Sequence, residues 1–117
     1  TFYSSVISHS YYSIFYSSKA ILAKIGIKTE APEVHKKTLG AFEKHLVKTG
    51  KLDVELLKIY QKMIVRAEEL LWIFSKEKGK RGRFTYQKLP QANRMPAKES
   101  FDNASVFFKN INKILTK

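Results

Sequence analysis

The sequence predicts an all-α protein folded as an antiparallel four-helix bundle, and two observations predict it. Along four separate stretches, apolar residues recur at alternating steps of three and four, which is the period of one face of an α-helix. No stretch alternates apolar and polar residues as a half-buried strand does. Because 117 residues suffice for one hydrophobic core, the four apolar faces are expected to meet within a single domain that covers residues 1–117.

The first two predicted helices end at glycines. The first covers residues 1–25, and Gly26 supplies its C-terminal stop. The second has Pro32 in its opening turn and ends before Gly50. The apolar face of the first helix consists of Ile7, Tyr11, Ile14, Ser18, Ile21 and Ile25, and the same spacing continues in the second helix at His35, Leu39, Phe42 and Leu46.

The third and fourth predicted helices begin with capping residues. Asp53 is a candidate N-cap for a long helix that ends near Lys76, and Pro96 suits the first position of the last helix. The apolar face of the third helix consists of Leu56, Tyr60, Met63, Ala67, Leu70 and Phe74, and that of the fourth of Phe101, Ala104, Phe108, Ile111 and Leu115.

A second face of the first helix carries aromatic side chains. Such a face, on a helix that already has one apolar face, is more often covered by another helix or subunit than by a ligand. The sequence therefore predicts that this face is an oligomer contact formed by His9, Tyr12 and Tyr16.

The composition narrows the class of partner. The chain has 22 lysines and arginines against ten acids, a net charge of +12, which favours an anionic partner and places nucleic acid ahead of a membrane surface. The absence of cysteine excludes disulfides and thiolate metal sites and fits a cytoplasmic location. No apolar run approaches the roughly 18 residues of a membrane span, so no membrane association is expected.

The positive charge is concentrated in a basic connector between the last two helices, predicted at residues 76–98. It carries eight basic residues against one acid. Cationic side chains release counterions from phosphates, and aromatic rings among them stack on unpaired bases. The alternative is that both rings fold back into the core. The predicted nucleic-acid contacts are Lys78, Lys80, Arg81, Arg83, Phe84, Tyr86, Lys88 and Arg94.

The sequence offers no metal site and no cofactor motif. None of the histidines His9, His35 and His45 has a second ligand at i+4, and His35 and His45 are interpreted as polar residues on a solvated helix face. No glycine pattern of a phosphate loop or nucleophile elbow is present.

Three stretches resemble the HEPN domain (higher eukaryotes and prokaryotes nucleotide-binding), specifically its small free-standing prokaryotic branch. Residues 8–16 (SHSYYSIFY), followed by residues 19–22 (KAIL), are similar to the family's Tyr-Tyr-x-x-Phe helix. Residues 47–53 (VKTGKLD) are similar to its turn between helices, and residues 100–108 (SFDNASVFF) to its closing helix. Together these stretches span nearly the whole chain.

The resemblance implies an all-α bundle that forms a homodimer and is encoded beside a minimal nucleotidyltransferase in a toxin–antitoxin-like pair. Bundles of this family usually begin with one more helix, which is expected here before Thr1. Several members are ribonucleases, and these carry an arginine followed four to six residues later by histidine.

That ribonuclease motif is absent, because Tyr86 stands where histidine is required after Arg81. A tyrosine with a pKa near 10 is a poor proton shuttle at neutral pH. The first hypothesis is therefore a non-catalytic protein that binds RNA or a nucleotide-bearing partner. The alternatives are a ribonuclease in which Arg81 stabilises the transition state and Tyr86 or His9 transfers a proton, and a module that binds only protein.

Overall fold

The computed structural model describes residues 2–79 and 94–116, with side chains at 2–70 and 94–116. Within those residues the chain forms four helical segments and no β-strand: α1 (Phe2–Lys24), α2 (Val34–Phe42) continued by a π-helical turn (Glu43–Val47), α3 (Val54–Gly79) and α4 (Arg94–Leu115). The predicted all-α class is confirmed, and the arrangement is compatible with a helical bundle.

Helix α1 lies at the centre of the fold and packs against α2, α3 and α4. Its predicted apolar face is buried from Ile7 to Ile21, and Ile25 is partly buried. Ser18, the serine in this face, donates a hydrogen bond of 2.8 Å to the carbonyl of Ile14, so its polar group is satisfied inside the core.

The end of α1 has the hydrogen-bond pattern of a Schellman motif. Gly26 adopts φ +83°, its N–H donates to the carbonyl of Ala23, and the N–H of Ile27 donates to the carbonyl of Leu22. The predicted glycine stop is therefore confirmed. At the start of α3, the carboxylate of Asp53 accepts a hydrogen bond of 2.8 Å from the N–H of Glu55, which confirms Asp53 as the cap of α3.

Three aromatic rings join α2, α3 and α4 in the core. Phe42, Tyr60 and Phe107 are fully buried, and their ring centroids lie 5.5 to 5.9 Å apart. Tyr60 meets the other two rings edge-on, which is a favourable arrangement of aromatic quadrupoles. Each buried ring contributes roughly 2–3 kcal/mol through the area it removes from water.

Helix α4 buries only part of the face that the sequence predicts, namely Ala104 and Ile111. Phe101 and Phe108 are 60% and 50% exposed. At these two positions the buried residue is the preceding one, Ser100 or Phe107. The whole buried face also follows steps of three and four, and most of its members are small: Ala97, Ser100, Ala104, Phe107 and Ile111. Small side chains let two helices approach closely, and α4 makes its most extensive contact with α1.

The C-terminal end of α4 is capped by α1. The ammonium of Lys24 donates hydrogen bonds of 2.8 Å to the carbonyls of Ile114 and Leu115, which are among the last carbonyls of the helix. A cation at this end also opposes the negative pole of the helix dipole. This bond therefore ties the last turn of α1 to the last turn of α4.

Two buried tyrosines differ in how their hydroxyls are satisfied. The hydroxyl of Tyr11 lies 2.6 Å from Nδ1 of His35. Within the described part of the chain, the hydroxyl of Tyr60 has no partner with good hydrogen-bond geometry, although the Ser18 side chain lies close enough to act against the rise of its pKa. Burial raises the pKa of Tyr60, and burial raises that of Tyr11 to about 12. His35 is exposed, as predicted for a solvated helix face, and its ring also contacts Tyr11.

We expect the two hydroxyls to contribute differently to stability. Tyr11→Phe removes a made hydrogen bond and should lower the free energy of unfolding by about 1 kcal/mol. Tyr60→Phe removes a hydroxyl that is buried without a partner, so stability should stay the same or rise. Urea unfolding of both variants checks this, and a loss of similar size in Tyr60→Phe would show that its hydroxyl is bonded.

Stability should also fall at alkaline pH because of Tyr11. Its pKa is about 12 in the folded chain against 10.0 for the unperturbed side chain, so the stabilising effect is complete below pH 10 and is lost as pH rises towards 12. The stability difference between wild type and Tyr11→Phe should shrink across that range. Unfolding curves at stepped pH measure it, and a constant difference would contradict the raised pKa.

Candidate nucleic-acid interface

The ends of α3 and α4 flank the predicted basic connector. Helix α3 extends to Gly79 and α4 begins at Arg94, so part of the range predicted as a connector is helical at both ends. Lys78 lies on the last turn of α3, and Arg94 and Lys98 lie in the first two turns of α4 with exposed side chains. Pro96 is the third residue of α4, where its missing N–H leaves no helical hydrogen bond unmade.

Most of the predicted nucleic-acid contacts lie between these helix ends. Six of them fall outside the described residues, and their roles stay predictions: Lys80, Arg81, Arg83, Phe84, Tyr86 and Lys88. Two of these six, Arg81 and Tyr86, are also candidates for the ribonuclease alternative.

Arg66 joins α3 to α4 next to this region. Its guanidinium Nη1 donates to the carbonyl of Pro96 at 3.2 Å and to the hydroxyl of Ser100 at 3.1 Å. Nη2 lies 3.6 Å from a carboxylate oxygen of Glu99. The Arg66 side chain is only 12% exposed, and hydrogen bonds from a charged donor at such a site are stronger than those at the surface. We call this group the α3–α4 latch.

Glu99 is shared between two cations of α3. The ammonium of Lys62 forms an ion pair with the carboxylate oxygen that faces Arg66. The hydrogen bond from Lys62 and the charge of Arg66 hold the pKa of Glu99 below its usual range. The latch fixes the first turn of α4 against α3 and so sets the relative position of the two helix ends that carry the basic residues.

Sequence reasoning missed the latch, although one signal was present. Arg66 follows Met63 by three residues and precedes Ala67 by one, so it borders the buried face of α3. An arginine at such a position often extends its guanidinium to polar atoms at the edge of the core. The partner helix cannot be read from that spacing.

The predicted oligomer face is exposed on α1. His9 is exposed, and Tyr12 and Tyr16 are 45% and 61% exposed, with their rings stacked 6.1 Å apart. His9 also lines a groove of about 500 Å³ between α1 and α4, beside the exposed rings of Phe101 and Phe108. These side chains are accessible, as a subunit contact requires. The contact itself stays a prediction.

The described residues contain no metal-binding cluster, which would indicate a different kind of functional site. Among them, no three histidine, aspartate or glutamate side chains are grouped so that they would hold a metal ion. No helix in the same part of the chain has the length and apolar content needed to cross a membrane.

Two curated relatives match part of the chain. A protein of Methanocaldococcus jannaschii named "Putative toxin MJ0142" is 42% identical over 57 residues, which cover 49% of this chain and 37% of that protein. A protein of Thermotoga maritima named "UPF0332 protein" is 37% identical over 59 residues, which cover 50% of this chain and 42% of that protein. The matches span less than half the length of each relative.

No family model matches the chain, and no solved structure matches it at a significant level. The two partial matches support a distant relationship to small proteins of a toxin-like class.

The latch predicts unequal effects of two substitutions on α3. Arg66→Gln removes charged hydrogen bonds from a mostly buried site and should lower the free energy of unfolding by about 1.5–3 kcal/mol. Lys62→Gln removes an exposed ion pair to the same carboxylate and should cost less than about 1 kcal/mol. Chemical unfolding followed by circular dichroism compares the two. Equal losses would mean that Arg66 does not join the helices more strongly than a surface ion pair.

Proposed function

We propose that this protein is a HEPN-type helical protein that binds RNA or a nucleotide-bearing partner through the basic surface between α3 and α4. In this proposal it acts without ribonuclease activity, as a homodimer and as the partner of a minimal nucleotidyltransferase in a toxin–antitoxin-like pair in the cytoplasm. The observation that carries the proposal is the concentration of charge, with eight basic residues against one acid at residues 76–98, between two helices that the latch holds together.

Electrostatics explains why phosphates are the preferred partner of this surface. Arg94 and Lys98 are exposed in the first turns of α4, and Glu99, the acid beside them, is already engaged by Lys62 and Arg66. Its negative charge is therefore largely compensated within the protein. A polyanion that binds here gains counterion release for each phosphate contact, which makes the affinity steeply dependent on salt.

The relatives support the toxin–antitoxin part of the proposal. The Methanocaldococcus protein carries the name "Putative toxin MJ0142", and the similarity to it extends over about half of this chain. The toxin name of this relative also favours the ribonuclease alternative, in which Arg81 would stabilise the charge of the transition state. Tyrosine at position 86, where the ribonuclease pattern has histidine, favours the non-catalytic form.

Charge reversal on the connector tests the proposal. Arg81→Glu combined with Arg83→Glu should abolish binding of single-stranded RNA at moderate salt. The slope of log affinity against log salt should fall by about 1.4 if two phosphate contacts are lost. Fluorescence anisotropy across a salt series measures both quantities.

A matched control carries the same charge change at a distance from the connector. Lys51 precedes α3, which is roughly 38 Å long, and Lys109 lies roughly 22 Å along α4 from Arg94. Lys51→Glu combined with Lys109→Glu should leave most of the affinity in place. Equal losses of affinity in the two double variants would mean that only the net charge of the protein determines RNA binding. Unchanged binding by the connector variant would refute the proposed surface.

Two further measurements separate the alternatives. Cleavage of single-stranded RNA by the wild type, lost in Arg81→Ala, would establish the ribonuclease. Co-purification of a protein partner that survives nuclease treatment, together with no RNA binding, would establish a protein-binding module.

A further inference from the structure

A second cavity lies on the side of α3 that faces α1 and α2. It has a volume of about 530 Å³, within the range of small-molecule sites. Its apolar lining comes from Leu39 on α2 and from Ile64 and Ala67 on α3. None of the residues predicted to contact nucleic acid lines it, so its occupant is a separate question from the function of the basic connector.

Aromatic rings in different planes form one side of this cavity. The ring of His35 stacks on Phe15 at a centroid distance of 4.1 Å and on Tyr11 at 5.7 Å, and its Nδ1 lies 2.6 Å from the Tyr11 hydroxyl. The ring of Tyr12 stands at 70° to that of His35 and at 62° to that of Tyr11. The stacking and the hydrogen bond hold the histidine ring in place, so this corner is built before any ligand arrives.

The rim of the cavity is anionic in a strongly cationic protein. Glu33 and Glu68 line it together with one cation, Lys36. Among the described residues, neither carboxylate forms an ion pair. Glu33 is held in the left-handed backbone region, at φ 57°, immediately before α2. The charge of Glu68 contributes to raising the pKa of Tyr11, although burial and Tyr12 come first, so its field reaches the cavity wall.

From this combination we infer that the cavity binds a small organic cation, an alkylated ammonium group, with Tyr12 and His35 beside its apolar surface and Glu33 and Glu68 opposing its charge. Aromatic rings attract such cations through their quadrupoles, and the attraction is greatest where water is partly excluded. An anionic ligand of similar size would meet two carboxylates against one ammonium. The charges of the rim therefore select against phosphate-bearing molecules.

Choline and its uncharged isostere 3,3-dimethylbutan-1-ol test this inference on the wild-type chain. Aromatic proton shifts of Tyr12 and His35 in an NMR titration report occupancy of this cavity directly. Choline should bind in the millimolar range or tighter, and the uncharged isostere should bind at least about fivefold more weakly, because it lacks the charge that the rings and carboxylates attract.

Substitutions at exposed rim positions give effects of opposite sign. Glu68→Gln and Tyr12→Leu should each weaken choline binding by about three- to fivefold, whereas Lys36→Gln should strengthen it by about twofold. Glu69→Gln is the matched control, since Glu69 is the next carboxylate along α3 and does not line this cavity, and its affinity should be unchanged.

The opposite pattern would overturn the inference. No shift of Tyr12 and His35 with choline, equal affinity for the uncharged isostere, or tighter binding by Glu68→Gln would each exclude a cation site. Binding of inorganic phosphate to the wild type that weakens in Lys36→Gln would show that the cavity accepts anions instead. If the connector variant loses RNA binding but retains choline binding, the cavity binds its ligand independently of the connector.

Discussion

Burial of α1 between the other helices is the constraint on which the remaining structure depends. One face of α1 is apolar from Ile7 to Ile21, and only packing against α2, α3 and α4 removes all of it from water. With α1 at the centre, the aromatic contact of Phe42, Tyr60 and Phe107 closes the core on the far side. Lys24 then closes the end of α4. Both candidate sites occupy surfaces that this packing leaves open.

The spacing of apolar residues was sufficient to predict the fold class, the face of α1 and the face of α3 from Leu56 to Leu70. Residue type was sufficient to predict the caps at Gly26 and Asp53. At α4 the spacing predicted Ala104 and Ile111 correctly but placed Phe101 and Phe108, rather than Ser100 and Phe107, in the core. The large rings of Phe101 and Phe108 led to the wrong choice at these two positions, because hydrophobicity scales reward size. The packing instead buries the small residues Ala97 and Ser100, which let α4 approach its neighbours closely. A pattern along one helix does not contain that information.

Contacts between distant residues account for what the sequence did not predict in the sites. Arg66 and Ser100 are 34 positions apart, and Tyr11 and His35 are 24 apart. Each residue alone has an ordinary local explanation, as an exposed helix residue or a polar surface histidine. Their roles follow only once helix packing brings the two partners within hydrogen-bond distance. The order of residues, in contrast, was enough to predict where the positive charge is concentrated along the chain. It did not predict how the charged side chains are arranged.

Helix α3 carries the latch and the cavity lining on different faces. Arg66 and Glu68 are two residues apart, which places their side chains roughly 200° apart around the helix axis. Arg66 extends to α4 and the latch, whereas Glu68 lines the cavity beside α1 and α2. A substitution of Glu68 therefore changes the field in the cavity without touching the bonds that hold α4. The latch and the cavity can therefore be altered independently, because they lie on different sides of α3.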